Sequence, residues 1–472
     1  MDATSLDRRI ATHWDEDIVP RITDYIRIPA KSPHFDPQWQ ANGHIERVIQ
    51  LALAWVEAQK VSGLRAEIVR IEGRTPLLYI DVPASAGHRG GSTVMLYGHL
   101  DKQPEMTGWH ADAGPWVPRM ADGKLYGRGG ADDGYAVFAA LAALAALDAE
   151  GAPHARCVGI IETCEESGSY DLPAYLDLLA ARIGDVDLVV GLDSGCGDYE
   201  RLWMTTSLRG LASGTLDVEV LTEGVHSGDA SGVVPSSFRV ARRLVDRLED
   251  AATGRVLPAE LHAPVPDARV AEAHATASII GANVIEKYPF AGNTEPMAQG
   301  GEALLNRTWR PALSVIGADG LPAIANAGNV LRPRTSLALS MRLPPTIDGD
   351  DAVRAMKRIL EADPPARANV RFEGHQGATG WNAPPTAPWL AAALDAASSA
   401  VYGKPMAAMG EGGTIPFMAM LGRKFPRAQF LITGVLGPHS NAHGPNEFLH
   451  VAYAQKLTAC VARVIAAHAT RG

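Results

Sequence analysis

Cysteine is scarce in this 472-residue chain, and Cys157, Cys164, Cys196 and Cys460 make neither a CxxC pair nor the close spacing of a disulfide scaffold. The fold must therefore rest on its apolar core, and the four read as small buried thiols of a reducing, cytoplasmic setting. Basic charge is also short, with 43 Lys and Arg against 53 Asp and Glu and a net of −10. That balance, with no basic run, excludes a polyanion such as nucleic acid as the expected partner. Long apolar runs are absent too: Ala136 to Leu147 is closed by Asp148 and is about half of a membrane span. It reads as a buried helix, and no membrane association is expected. The N-terminus, with Asp2, Asp7, Arg8, Arg9, Asp15, Glu16 and Asp17, never develops the apolar centre of a signal peptide. Several catalytic signatures are missing as well. No GxSxG elbow, no HExxH, no GKS or GKT ending and no strand-loop-helix GxGxxG occur, which disfavours serine hydrolases, the commonest single-zinc peptidases, P-loop enzymes and dinucleotide folds.

What is present points to two domains, since a single core rarely grows to this length. Ile45, Val48, Ile49, Ala52, Trp55 and Val56 predict an amphipathic helix within residues 37–60. Short Val-, Ile- and Leu-rich runs at 66–71, 77–82, 93–97, 157–161 and 187–192 predict strands, interrupted by helices at 136–147 and 171–181. Alternating strands and helices indicate an α/β class with a largely parallel central sheet. After Arg209 the rhythm changes: strand 211–220, helix 236–248, a long loop-rich region, strands 312–316 and 335–343, helix 350–362 and strand 368–373. That is a β-α-β-β-α-β pattern, a smaller α+β domain inserted into the first. The expected division is 1–208 and 381–472 for the catalytic domain and 209–380 for the insertion.

Polar ligand types stand where apolar strands end: His99 and Asp101 after Val94 to Tyr97, Glu165 and Glu166 after Val158 to Ile161, and Asp193 after Leu188 to Leu192. In open α/β sheets ligands gather at the carboxyl ends of strands. Asp132 and Asp133 precede the Ala-rich helix, and His443 lies in a Pro- and Gly-interrupted loop before the last helix. Two neighbouring divalent ions would need imidazoles and carboxylates together, with one carboxylate between them to offset their repulsion. Asp132 is the candidate for that bridge. Asp101, two residues beyond His99 on the same strand face, is placed to hold the other ring nitrogen. Of the adjacent Glu165 and Glu166, one can bind metal while the other takes a proton. Each fragment alone has an ordinary reading, Asp132 as a helix N-cap or a strand-end histidine as a solvated residue.

Together, Gly98-His99-Leu100-Asp101, Gly127-Arg128-Gly129-Gly130-Ala131-Asp132-Asp133-Gly134, Glu165-Glu166-Ser167-Gly168-Ser169, Asp193-Ser194-Gly195, His226-Ser227-Gly228 and His443-Gly444-Pro445-Asn446-Glu447 resemble one family, in order along the chain. It is the co-catalytic di-metal peptidase family M20 of carnosinases, cytosolic non-specific dipeptidases, glutamate carboxypeptidases, aminoacylases and succinyl-diaminopimelate desuccinylase. The resemblance implies a catalytic α/β domain interrupted by a lid that also forms a homodimer. It implies two divalent ions per subunit, zinc first, with manganese or cobalt as alternatives that mixed sites accept. His99, Asp132 and Asp193 would surround one ion, Asp132, Glu166 and His443 the other, with Glu165 as general base toward a hydroxide bridging them. A cis Asp132–Asp133 bond is also implied.

On the substrate side, the resemblance makes His226 a lid residue that polarises the scissile carbonyl. Arg342 becomes the clamp for a substrate carboxylate. Glu411-Gly412-Gly413-Thr414 resembles the dipeptidase branch, where the glutamate meets a free amine, although Gly410 stands where that branch often has arginine and Ala131 where a hydroxyl residue is common. His439 competes with His443 as a ligand; the following Asn446-Glu447 favours His443. The expected activity is hydrolysis of dipeptides or short peptides. An N-acyl amino acid deacylase or desuccinylase is the alternative, and a non-catalytic binding module the rival from another class.

Overall fold

A computed structural model describes residues 3–86, 88 and 91–471. The chain divides into two compact units, one of Met1–Thr206, Ala383–Met409 and Met420–Gly472, the other of Ser207–Asn382 and Gly410–Ala419.

The first unit is built on a six-stranded sheet in the order Arg65–Val69, Leu77–Val82, Arg156–Glu162, Thr93–His99, Val186–Gly191, Gln429–Ile432. The first two pairings are antiparallel and the other three parallel. Every residue of Thr93–His99 is buried, as expected of a central parallel strand covered on both faces. One cover is the helix Ala136–Ala149, whose many alanines let it lie close to the sheet. Gly98 sets that approach: a Cβ there would fall 2.8 Å from the Ala136 Cβ and 3.0 Å from Asp133 Oδ2. Among the described residues one helical segment, Gly130–Ala149, is long and apolar enough to cross a membrane, but 94% of its apolar window is buried in protein.

The N-terminal region is helical at Ala3–His13 and Val19–Ile26, joined by a wider turn at Trp14–Ile18. Leu6, Ile10, Trp14, Ile18 and Ile22 are all buried. A strict four-residue spacing drifts around a regular α-helix, and the wider turn brings the stripe back to the core.

The second unit carries a four-stranded antiparallel sheet in the order Ala312–Asp319, Arg334–Leu343, Gly210–Glu219, Asn369–Ala378. Burial alternates along Gly210–Glu219, the mark of a sheet with one face on a core. Helices Ser237–Val245 and Gly349–Glu361 supply that core. Each begins at a side-chain cap: Ser236 accepts from the Arg239 N–H and Asp348 from the Asp351 N–H. The region expected to be loop-rich holds instead the helices Asp267–Ile280, Asn283–Glu286 and Gly300–Thr308, gathered around Ala273, Val284, Leu304 and Leu305. Pro266 precedes the first of these helices and Gly281 follows it, where they punctuate the helix without breaking it.

Candidate active site

His99 is the last residue of its strand and is buried. Its Nδ1 lies 3.0 Å from the Asp101 carbonyl oxygen and 3.4 Å from Asp101 Oδ1. The backbone oxygen is thus the nearer acceptor, and the Asp101 carboxylate is largely engaged elsewhere, accepting from the Glu165 N–H at 3.1 Å and the Glu166 N–H at 3.0 Å. Asp101 therefore ties the strand end to the turn that carries both glutamates.

Asp132 follows the glycine-rich turn, and the Asp132–Asp133 peptide bond is cis. Its Oδ1 lies 3.8 Å from His99 Nε2 and its Oδ2 3.1 Å from His443 Nε2. Asp193 Oδ1 is 3.9 Å from His99 Nε2, Glu166 Oε2 is 3.5 Å from His443 Nε2, and Glu165 Oε2 is 4.0 Å from His99 Nε2. Two triads result, His99–Asp132–Asp193 and Asp132–Glu166–His443, each with one ligand atom per residue within 4.8 Å of the others. Donors about 2.0–2.2 Å from one tetrahedral ion are separated by roughly 3.5 Å, close to these spacings. His439 belongs to neither triad among the described residues.

The donor set suits divalent cations. Among the described residues His99 Nε2 and Glu166 Oε1 are buried without a hydrogen-bond partner, a cost proteins rarely accept unless something else binds there. Burial followed by the charge of Asp193 pushes Glu165 well above the usual carboxylate range, and burial followed by Asp132 does the same to Glu166. Asp193 is raised to about 7, first by burial. Burial alone would lower His99, but Asp101, Asp132 and Asp193 outweigh it and raise its pKa. Crowded carboxylates around two imidazoles are a site whose negative charge awaits positive charge.

Three positioning residues escaped the sequence reading. Arg128, buried, donates to Glu447 Oε2 at 2.6 Å and to the carbonyls of His443 and Gly444 at 3.1 and 2.9 Å. Glu447 Oε1 accepts from the Gly129 N–H at 2.9 Å. This clamp joins the glycine-rich turn to the histidine loop, in which His439, Asn441, His443 and Asn446 all have positive φ. Gln103 Nε2 donates to Glu166 Oε2 at 2.5 Å. Arg128 and Glu447 lie inside the motifs already quoted, but only their pairing reveals what they do.

In the second unit, Arg342 Nη1 donates to Thr414 Oγ1 at 3.1 Å, and Thr414 Oγ1 donates to the Arg209 carbonyl at 2.7 Å. Glu411 ends a short strand and lies within electrostatic reach of Lys287. Gly412 and Gly413 follow it in the turn that leads to Thr414. His226 is exposed at the end of the strand Val225–His226, paired with Val330.

A parallel-centred α/β sheet with two His and carboxylate triads on its strand ends and the loops beside them fits an enzyme of the metallohydrolase class. The chain belongs to peptidase family M20/M25/M40, whose profile matches residues 95–467, and it is a metallopeptidase of that family. It is 26% identical over 454 residues to a cysteinylglycine-S-conjugate dipeptidase of Corynebacterium striatum, covering 90% of this chain and 91% of that protein. The structure of the dipeptidase Dug1p from Saccharomyces cerevisiae superimposes with a TM-score of 0.76 at 21% identity, covering 100% of this chain and 99% of that one. A dinuclear metal-binding peptidase of the M20 family from Bacillus subtilis gives a TM-score of 0.53 at 12% identity, covering 96% of this chain and 98% of that one.

Proposed function

We propose that the chain is a dinuclear metal-dependent dipeptidase. The observation that carries this reading is Asp132, which turns one carboxylate oxygen toward His99 and the other toward His443. His99 and Asp193 would complete one ion's donors, Glu166 and His443 the other's, zinc first and manganese or cobalt as alternatives. Ions bound there supply Lewis acidity toward a carbonyl oxygen and toward water. Glu165, beside this cluster yet in neither triad, takes the proton of the attacking water. As the C–O bond forms and the C–N bond breaks, the same carboxyl returns that proton to the leaving nitrogen. Asp101 holds His99 and the glutamate turn in register. His226 is assigned the developing oxyanion, Arg342 the substrate carboxylate, and Glu411 with Gly412 to Thr414 the substrate amine. The relatives named as dipeptidases support this substrate class. The unit of Ser207–Asn382 is assigned the role of lid and homodimer surface, and the setting is cytoplasmic.

One observation favours the second reading, an N-acyl amino acid deacylase: Lys287 lies near Glu411 and competes with a substrate ammonium for it. Metal analysis of the purified protein, with rates on Ala-Gly-type dipeptides against N-acetyl and N-succinyl amino acids, decides between them. Glu165→Gln is expected to lower kcat by about 10²- to 10⁴-fold with metal content unchanged. Near-normal turnover in that variant removes Glu165 from the proton-transfer role.

A further inference from the structure

The second unit concentrates positive charge around one turn. Arg342 comes from the strand Arg334–Leu343, Arg209 immediately precedes the strand Gly210–Glu219, Arg307 lies in the helix Gly300–Thr308, and Lys287 follows the helix Asn283–Glu286. A Cβ built on Gly412 would lie 3.1 Å from Arg307 Cγ and 3.5 Å from Arg209 Nη2, so both side chains flank the same glycine, and its bare α-carbon leaves room between them. Arg342 reaches the same turn through Thr414. Lys287, at the exposed rim, lies within electrostatic reach of Arg307.

These charges are poorly compensated. Among the described residues Arg209 finds only backbone carbonyls as hydrogen-bond acceptors, Gly412 at 3.3 Å and Asn306 at 3.4 Å. Arg307 Nε is buried with no hydrogen-bond partner among the described residues. Among the described residues none of the four cations forms a salt bridge; Lys287 lies 5.2 Å from the Tyr288 ring and within reach of Glu411. Burial, then the like charges of Arg342 and Arg307, pull Arg209 down to about 10. Half-buried guanidiniums gathered without anions repel one another and lack acceptors, a combination seen where an anionic ligand supplies both. One substrate carboxylate occupies Arg342 and leaves the planar forks of Arg209 and Arg307 unmatched.

We propose that Arg209, Arg307 and Lys287 form, beside Arg342, a receptor for a second carboxylate, so that the preferred substrate is dianionic. The inference rests on the dipeptidase reading for the reaction, but the receptor itself can be tested by binding alone. The second carboxylate has two chemical sources, an acidic side chain in the dipeptide or an N-succinyl group, and substrate pairs distinguish them.

The test measures kcat/KM of the metal-loaded full-length enzyme for Ala-Glu against Ala-Gln, and for N-succinyl-alanine against N-butyryl-alanine. In one scaffold the charged member is expected to exceed its neutral counterpart by about tenfold or more, chiefly through KM. Arg307→Gln and Lys287→Gln, made separately, are each expected to shrink that ratio. Equal rates for charged and neutral members in both scaffolds overturn the proposal, as does a preference that survives both substitutions. Hydrolysis of neither scaffold overturns the dipeptidase and deacylase readings, and calorimetric titration with glutarate and butyrate then decides the receptor. Tighter binding of glutarate, weakened about tenfold by Arg307→Gln, supports it; equal or absent binding overturns it.

Discussion

The two units each gather charge of one sign, and they do so by different means. In the first, Asp132, Glu165, Glu166 and Asp193 crowd around His99, all delivered by strand ends and the turns beside them. In the second, Arg209 and Arg307 flank Gly412, Arg342 bonds to Thr414 two residues on, and Lys287 acts on Arg307. Acidic crowding in a buried place implies cations and basic crowding implies anions, because neither survives desolvation without partners. The acidic group is held rigidly, with Asp101 and the Arg128–Glu447 clamp behind it. Behind the basic group stand mostly carbonyl oxygens, a cheaper support that suits a group meant to meet an exchanging ligand.

The comparison is broken most severely at its shared oxygen pair. Asp132→Asn is expected to remove both ions' common donor and abolish peptidase activity, with metal content falling in the same preparation; an active variant retaining two ions per chain would sink the bridging role. On the basic side, Arg342→Ala deletes charged hydrogen bonds typically worth about 1.5–3 kcal/mol. KM should rise by roughly 10- to 100-fold with kcat less affected, and an unchanged KM would separate Arg342 from the substrate carboxylate. A smaller but sharper contrast is structural. Arg128→Met leaves Glu447 buried without its partner, a change that costs about 3–5 kcal/mol. Thermal unfolding should report it, together with weaker metal binding, since the same guanidinium holds the His443 and Gly444 carbonyls. Chelation is expected to lower the melting temperature by less than that substitution does. Ligand-linked stabilisation amounts to about 2.7 kcal/mol at a hundredfold excess over Kd.

The same contrast governs what could be read from the residues alone. His99, Glu165, Glu166 and Asp193 were legible because each ends or closely follows an apolar strand within a short contiguous motif, and a parallel sheet gathers such ends on one edge. The pairing of Arg128 with Glu447 was not, since 319 positions separate the partners and neither residue type signals a buried contact. The cation cluster was hidden for the same reason, with Arg342 alone singled out. The helices of residues 267–308 escaped because their prolines and glycines resembled a loop's punctuation. The N-terminal stripe from Leu6 to Ile22 repeats every four residues, a spacing that a regular α-helix does not keep on one face, so only the wider turn at Trp14–Ile18 makes it a core stripe.

The missing methyl at position 98 acts as a spacer gauge for the whole catalytic edge. Any side chain there would collide with Ala136 and the Asp133 carboxylate, so the thickness of one hydrogen atom sets how near the aspartate pair rides to the histidine strand. A neutral Gly98→Ala exchange would thus detune the charge centre by pressing on the aspartate pair from the strand side.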